Sequence, residues 1–89
     1  MKCTITFRNL EHTNSLDQKI KEKSKKVNMH LGNNAEIEWV CWVEDKSQIA
    51  EVKVHDGRRN FLAKAESNSL YKTMDQVINK LTNQIAHQH

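Results

Sequence analysis

From Lys2 to Arg8 apolar and polar residues alternate, with Cys3, Ile5 and Phe7 on one side. This is the period of a half-buried strand. The period changes at Thr13 to Leu31: at about 100° per residue, Leu16, Ile20, Val27 and Leu31 fall within roughly 60° of one another, the stripe of an amphipathic helix. Thr13 is its expected N-cap, with Asp17 near the positive end of the dipole, and Gly32-Asn33-Asn34 is expected to stop it through a left-handed C′ residue. Alternation returns from Ala35 to Glu44, with Ala35, Ile37, Trp39, Cys41 and Val43 on the core side. After a turn at Asp45-Lys46-Ser47, Gln48 to His55 puts Ala50, Val52 and Val54 inward, and Asp56-Gly57 predicts a tight hairpin into Arg59 to Glu66, where Phe61, Ala63 and Ala65 face in. A second helix is expected from Ser67–Ser69, either serine serving as cap, to about Ala86, with Leu70, Met74, Val77, Ile78, Leu81 and Ile85 on one face.

The order is therefore β-α-β-β-β-α, an α+β fold. The strand-helix-strand start predicts a parallel right-handed crossover, and the two tight turns predict an antiparallel meander. The result is a four-stranded mixed sheet with two helices packed on one face. Its other face is left largely to water and bears Thr4, Val40, Trp42, Lys53, His55, Leu62 and Lys64. At 89 residues with 37% apolar and 28% charged side chains, the chain fits one domain, 1–89, with a single core.

Charge adds a direction to this scaffold. The net charge is +3, which favours nucleic acid or an acidic membrane surface without choosing between them. Beside the apolar stripe of the first helix, Lys19, Lys23, Lys26 and His30 follow at spacings i, i+4, i+7 and i+11, while Lys21 and Lys25 point elsewhere. Such lysines can serve as a plain solvated face. The absence of acids on this ladder suits a polyanion better, since Asp17 and Glu22 lie off it. No apolar run reaches the roughly 18 residues of a membrane span and the N-terminus has no signal-peptide pattern, so a cytoplasmic protein with no membrane partner is expected.

Catalytic and metal chemistry find little support. No nucleophile stands at useful spacing from a base and no glycine-rich phosphate loop occurs, so neither an enzyme nor a small-molecule substrate is expected. The histidines do not form a ligand set, His87 and His89 lying about 200° apart on a helix, and no cofactor is expected. Cys3 and Cys41 fall at inward strand positions, as buried thiols rather than a disulfide. Trp42 on the open face suits a base-stacking contact or, as RNP-type motifs are missing, a flat hydrophobic or self-association contact. Arg58 and Arg59 at the hairpin reach phosphate or simply solvate its tip.

The sequence resembles the ribosome hibernation-promoting factors, also called ribosome-associated inhibitors or protein Y. The resemblance rests on Ile5 to Leu16 (ITFRNLEHTNSL), Glu22-Lys23 and Lys26, the AKAE strand end at Ala63 to Glu66, and the spacing of Leu70 to Ile85. It implies a fold related to double-stranded RNA-binding domains in a cytoplasmic bacterial protein. It also implies binding to the small ribosomal subunit near the decoding and tRNA sites, with inhibition of translation under stress or in stationary phase. Contacts to 16S rRNA are then implied for Lys23, Lys26 and Lys80, and the ladder adds Lys19 and His30. The chain departs from the family at Ser69, Asn79 and Asn83 to His87, where charge is lost and where His87 and His89 would help only when protonated. A C-terminal dimerisation domain, as in long members, is not expected, so pairing of ribosomes would need a separate dimerising factor. The alternative is an interaction or dimerisation module of the same fold, using Trp42 and Val40, with ribosome binding weakened or lost.

Overall fold

The elements follow as β1 (Lys2–Arg8), α1 (Asn14–Asn28), β2 (Glu36–Glu44), β3 (Ser47–Asp56), β4 (Arg59–Ser67) and α2 (Leu70–Ala86). They are seen in a computed structural model that describes residues 1–87. The sheet runs β1-β2-β3-β4, with β1 parallel to β2 and the other two pairs antiparallel. Period-2 alternation sets the register: Ile5, Trp39, Val52 and Ala63 form one row across all four strands. The helices close this face with Ile20 and Val27 from α1 and Met74, Val77, Ile78 and Leu81 from α2. Ala63 and Ala65 are buried there too, and their small side chains leave room for α2 to lie close to β4.

One buried polar link fixes α1 on the sheet. The Trp39 indole Nε1 donates to Ser24 Oγ at 2.9 Å, and Ser24 donates in turn to the Ile20 carbonyl at 2.8 Å. Both residues are fully buried, so each polar atom needs this partner. At the other helix, Thr73 Oγ1 donates toward the carbonyl of Gln48 at 2.8 Å, and Ser67 Oγ lies 2.7 Å from it. Ser69 is the N-cap residue of α2 but makes no side-chain cap bond. Ser67 does the local work instead, accepting from the Ser69 amide at 3.2 Å.

Thr13 caps α1 as its sequence position suggests, accepting from the Leu16 amide at 3.2 Å. Thr13→Ala should lower unfolding stability by about 1 kcal/mol, read as a shift in urea midpoint at constant m-value. The other end of α1 differs from expectation. The helix stops at Asn28 with Met29 as a right-handed C-cap, and His30 continues as a tighter turn through its amide bond to Val27 O. Gly32 does not supply the stop. It sits instead at a close approach: a Cβ there would lie 2.9 Å from Asp56 Oδ1 and would push that carboxylate aside, while the Gly32 amide donates to both Asp56 carboxylate oxygens at 3.3 and 3.2 Å. The turn glycine that does need positive φ is Gly57, at +64° in the two-residue connection between Asp56 and Arg59.

The Asp56 clasp has a pH signature. Arg59, and after it the Gly32 amide, hold the Asp56 carboxyl below its ordinary 3.8. A carboxyl depressed in the folded state contributes stability that is complete above its unfolded value and is lost as pH falls through the folded one. Urea midpoints followed from about pH 6 to about pH 2 should show Asp56→Asn less stable than the parent at neutral pH and flatter on the acid limb.

Both thiols are free, Cys41 buried and Cys3 half-buried, and burial pushes the Cys41 thiol up to about 11. On the open face Ile49 is an unexpected core residue. It stands opposite Trp42 and Glu66 and is only 1% exposed, although it projects away from the helices.

Candidate nucleic-acid interface

Charge is distributed unevenly over this fold. α1 holds five lysines against Asp17 and Glu22, so it alone carries a charge equal to the whole chain's +3, and the nine cations elsewhere meet nine acids. A field of one sign therefore originates at one helix. The open sheet face, by contrast, carries Lys2, Arg8, Lys53 and Lys64 against Glu36, Glu38, Glu44, Glu51 and Glu66. A polyanion has no reason to prefer it. A shallow depression of about 620 Å³ at one end of that face is lined by charges of both signs, including Lys2, Glu36, Glu38 and Lys53.

Trp42 sits in this mixed field and is already engaged. Its indole nitrogen donates to Glu44 Oε1 at 3.3 Å, and the Lys64 ammonium lies 5.4 Å from the ring centroid in cation–π range. One ring face is thus occupied by a cation. Leu62, 53% exposed, is the more open apolar side chain on this surface.

The structure brings together Lys19, Lys23 and Lys26 on α1. Lys19 and Lys26 are exposed and Lys23 is half-buried. No acid stands on the ladder itself, but carboxylates from off it reach two of its lysines. Lys23 forms an ion pair with Asp75 of α2, and Lys19 lies 3.8 Å from Glu22. Lys21, off the ladder, is neutralised by Asp17 at 2.8 Å, and Asp17 also meets His12 Nε2 at 3.0 Å. Of the ladder lysines, then, Lys26 is the one with no ion-pair partner among the described residues. His30 is exposed but stands beyond the helix end, off the ladder's register.

Lys80 is not part of this group. It lies about 140° around α2 from Asp75 and reaches the free side of β4, where its ammonium donates to the Lys64 carbonyl at 2.8 Å. Gln84, one turn on, donates to the Leu62 carbonyl at 2.9 Å. Together they cover the middle of an edge strand.

A profile of the sigma 54 modulation protein / S30EA ribosomal protein family matches residues 3–89. The chain belongs to that family. Among its relatives, a ribosome hibernation promoting factor from Klebsiella oxytoca is 28% identical over 85 residues, which cover 96% of this chain and 90% of the relative. A ribosomal subunit interface protein from Coxiella burnetii superposes with a TM-score of 0.87 at 20% identity, covering 97% of this chain and 94% of that one. The N-terminal domain of Thermus thermophilus Protein Y gives 0.88 at 21% identity, with 96% of each chain covered. Both superpositions show the shared β-α-β-β-β-α fold.

Within this S30EA-family chain, Asp75 is the site residue that sequence reasoning missed. The signal was present: Asp75 sits between the buried Met74 and the apolar stripe's next residues, Val77 and Ile78, at the border that meets a neighbouring element. Lys23, Lys26 and Lys19 hold its carboxyl below the ordinary 3.8, with the Lys23 hydrogen bond first among the causes. Among the described residues no helix is long and apolar enough to cross a membrane.

Proposed function

We propose that this protein is a ribosome hibernation factor that lays α1 against 16S rRNA of the small ribosomal subunit, near the decoding and tRNA sites, and so blocks translation under stress or in stationary phase. The observation that carries this reading is the concentration of the chain's entire excess charge on one helix of a rigid two-helix platform. Membership of the S30EA family, and relatives named for hibernation and for the subunit interface, support it. The mechanism is occlusion with electrostatic grip. Lysines displace counterions from folded RNA, and the helices match shape rather than base sequence.

Residue roles follow from exposure. Lys26 and Lys19 reach phosphates directly, Lys23 does so from its place beside Asp75, and His30 lies exposed just beyond the helix end. Lys80 contributes at a second, separate surface if it leaves its carbonyl. Co-sedimentation with small subunits over a potassium chloride series tests the reading: binding that falls steeply and linearly in a log–log plot supports it, and no pelleting at any salt refutes it. A sucrose-gradient profile from stationary-phase cells places the protein on subunits, on whole ribosomes or on neither. The second reading, an interaction module using Trp42 and Val40, has less apolar surface to work with, because Lys64 lies over the indole.

A further inference from the structure

The lysine ladder is not empty in the free protein. Asp75 reaches from α2 to Lys23 at the centre of the ladder, with Lys19 four residues before and Lys26 three residues after on the same helix. Those spacings place all three on neighbouring turns of one α1 flank. Asp75 pairs directly with Lys23 alone, while the Lys26 and Lys19 charges act on it from the adjacent turns, and a phosphate oxygen bound at the centre of this ladder would take the same place. Asp75 is itself more than half exposed, at 58% of its side chain, so it is held by its ion pair with Lys23 and not by packing.

We propose that Asp75 is a built-in stand-in for a phosphate: it pairs with Lys23 at the centre of the Lys19, Lys23 and Lys26 ladder in the free protein and is displaced when a polyanion binds. This rests on the reading of α1 as the polyanion face. Two consequences follow. The site starts one charge short of its full strength, which lowers affinity for any passing polyanion, and Lys23 is kept in place without being lost to solvent. Only a ligand that offers several phosphates at once, in a matching arrangement, displaces the carboxylate and gains all three amines. The carboxylate therefore trades affinity for selectivity.

The test compares the intact protein with Asp75→Asn and with Asp45→Asn. The latter makes the same charge change in the β2–β3 turn, at a residue whose φ of 53° asparagine also tolerates. The probe is inorganic polyphosphate, which any phosphate site takes whatever the shape of the RNA it serves. Asp75→Asn should bind it roughly two- to five-fold more tightly at low salt, with a log–log salt slope steeper by about one. Asp45→Asn should give a much smaller gain. In the unmodified protein, adding polyphosphate should move the Asp75 carboxyl carbon resonance toward that of an unpaired carboxylate. Weaker or unchanged binding by Asp75→Asn, equal gains in both variants, or an unmoved Asp75 resonance would each overturn the proposal. Thermal melts confirm that both variants fold. Small-subunit co-sedimentation of the same three proteins separates the two ideas, because loss of ribosome binding with the polyphosphate result intact tells against the ribosomal reading and not against the role of Asp75.

Discussion

Trp39→Ala is expected to cost about 3–5 kcal/mol of stability, because it empties the largest fully buried side-chain position in the core. A domain of this size has only about 5–10 kcal/mol in total, so the variant should unfold at a much lower urea midpoint and be partly unfolded at growth temperature. The loss has two sources that can be separated. Ser24→Ala keeps the indole but strands its N–H, fully buried, without the 2.9 Å acceptor, and should cost about 1–3 kcal/mol. Trp39→Phe keeps most of the volume and leaves Ser24 still donating to Ile20 O, so it should be the mildest of the three. An Ala variant as stable as the parent would mean that α1 is not seated on the sheet through this residue.

Lys19→Glu combined with Lys26→Glu is expected to reduce affinity for small subunits by on the order of 100-fold near 0.1 M salt. The pair reverses two of the five lysines of α1 and turns the helix from net positive to net negative. Lys23 is left alone deliberately. Reversing it would set a second carboxylate against Asp75 and confuse lost binding with lost stability. Both chosen positions are exposed, so the melting temperature should move by only a few degrees. The neutral pair Lys19→Gln and Lys26→Gln should lose less, and its salt slope should be shallower by about two. Unchanged pelleting of the reversed variant would remove α1 from the contact surface.

The fold was legible wherever one face of an element is buried and the other wet, because there the residue pattern is also the geometry. Cys3, Ile5 and Phe7, the alternation through Trp39, and the Leu70 to Ile85 stripe all fall as their periods require. Ile49 escaped because it is buried on the side that alternation assigns to water, beneath its cross-strand neighbours and not under a helix. The end of α1 was misplaced because Gly32 carries two possible meanings, a left-handed stop or a close approach, and only the position of Asp56, 24 residues away, decides between them. The candidate site was half legible for a similar reason. Spacing within α1 put Lys19, Lys23 and Lys26 together, since neighbours on one helix are local. That Asp75 would join them, and that Lys80 would turn away to a strand carbonyl, depends on how α2 lies over the sheet. No local period encodes that.

The Lys80 and Gln84 bonds to the outer carbonyls of β4 also govern how copies of the molecule can meet. A sheet extends without limit only when each added molecule exposes a fresh border like the one it consumed. Here the β1 border lacks a partner strand among the described residues, whereas the middle of the β4 border is already spoken for by two side chains of the same chain. Joining of sheet edges is therefore favoured only between one β1 and another, a contact that closes on itself as a pair and leaves no fresh β1 border to extend.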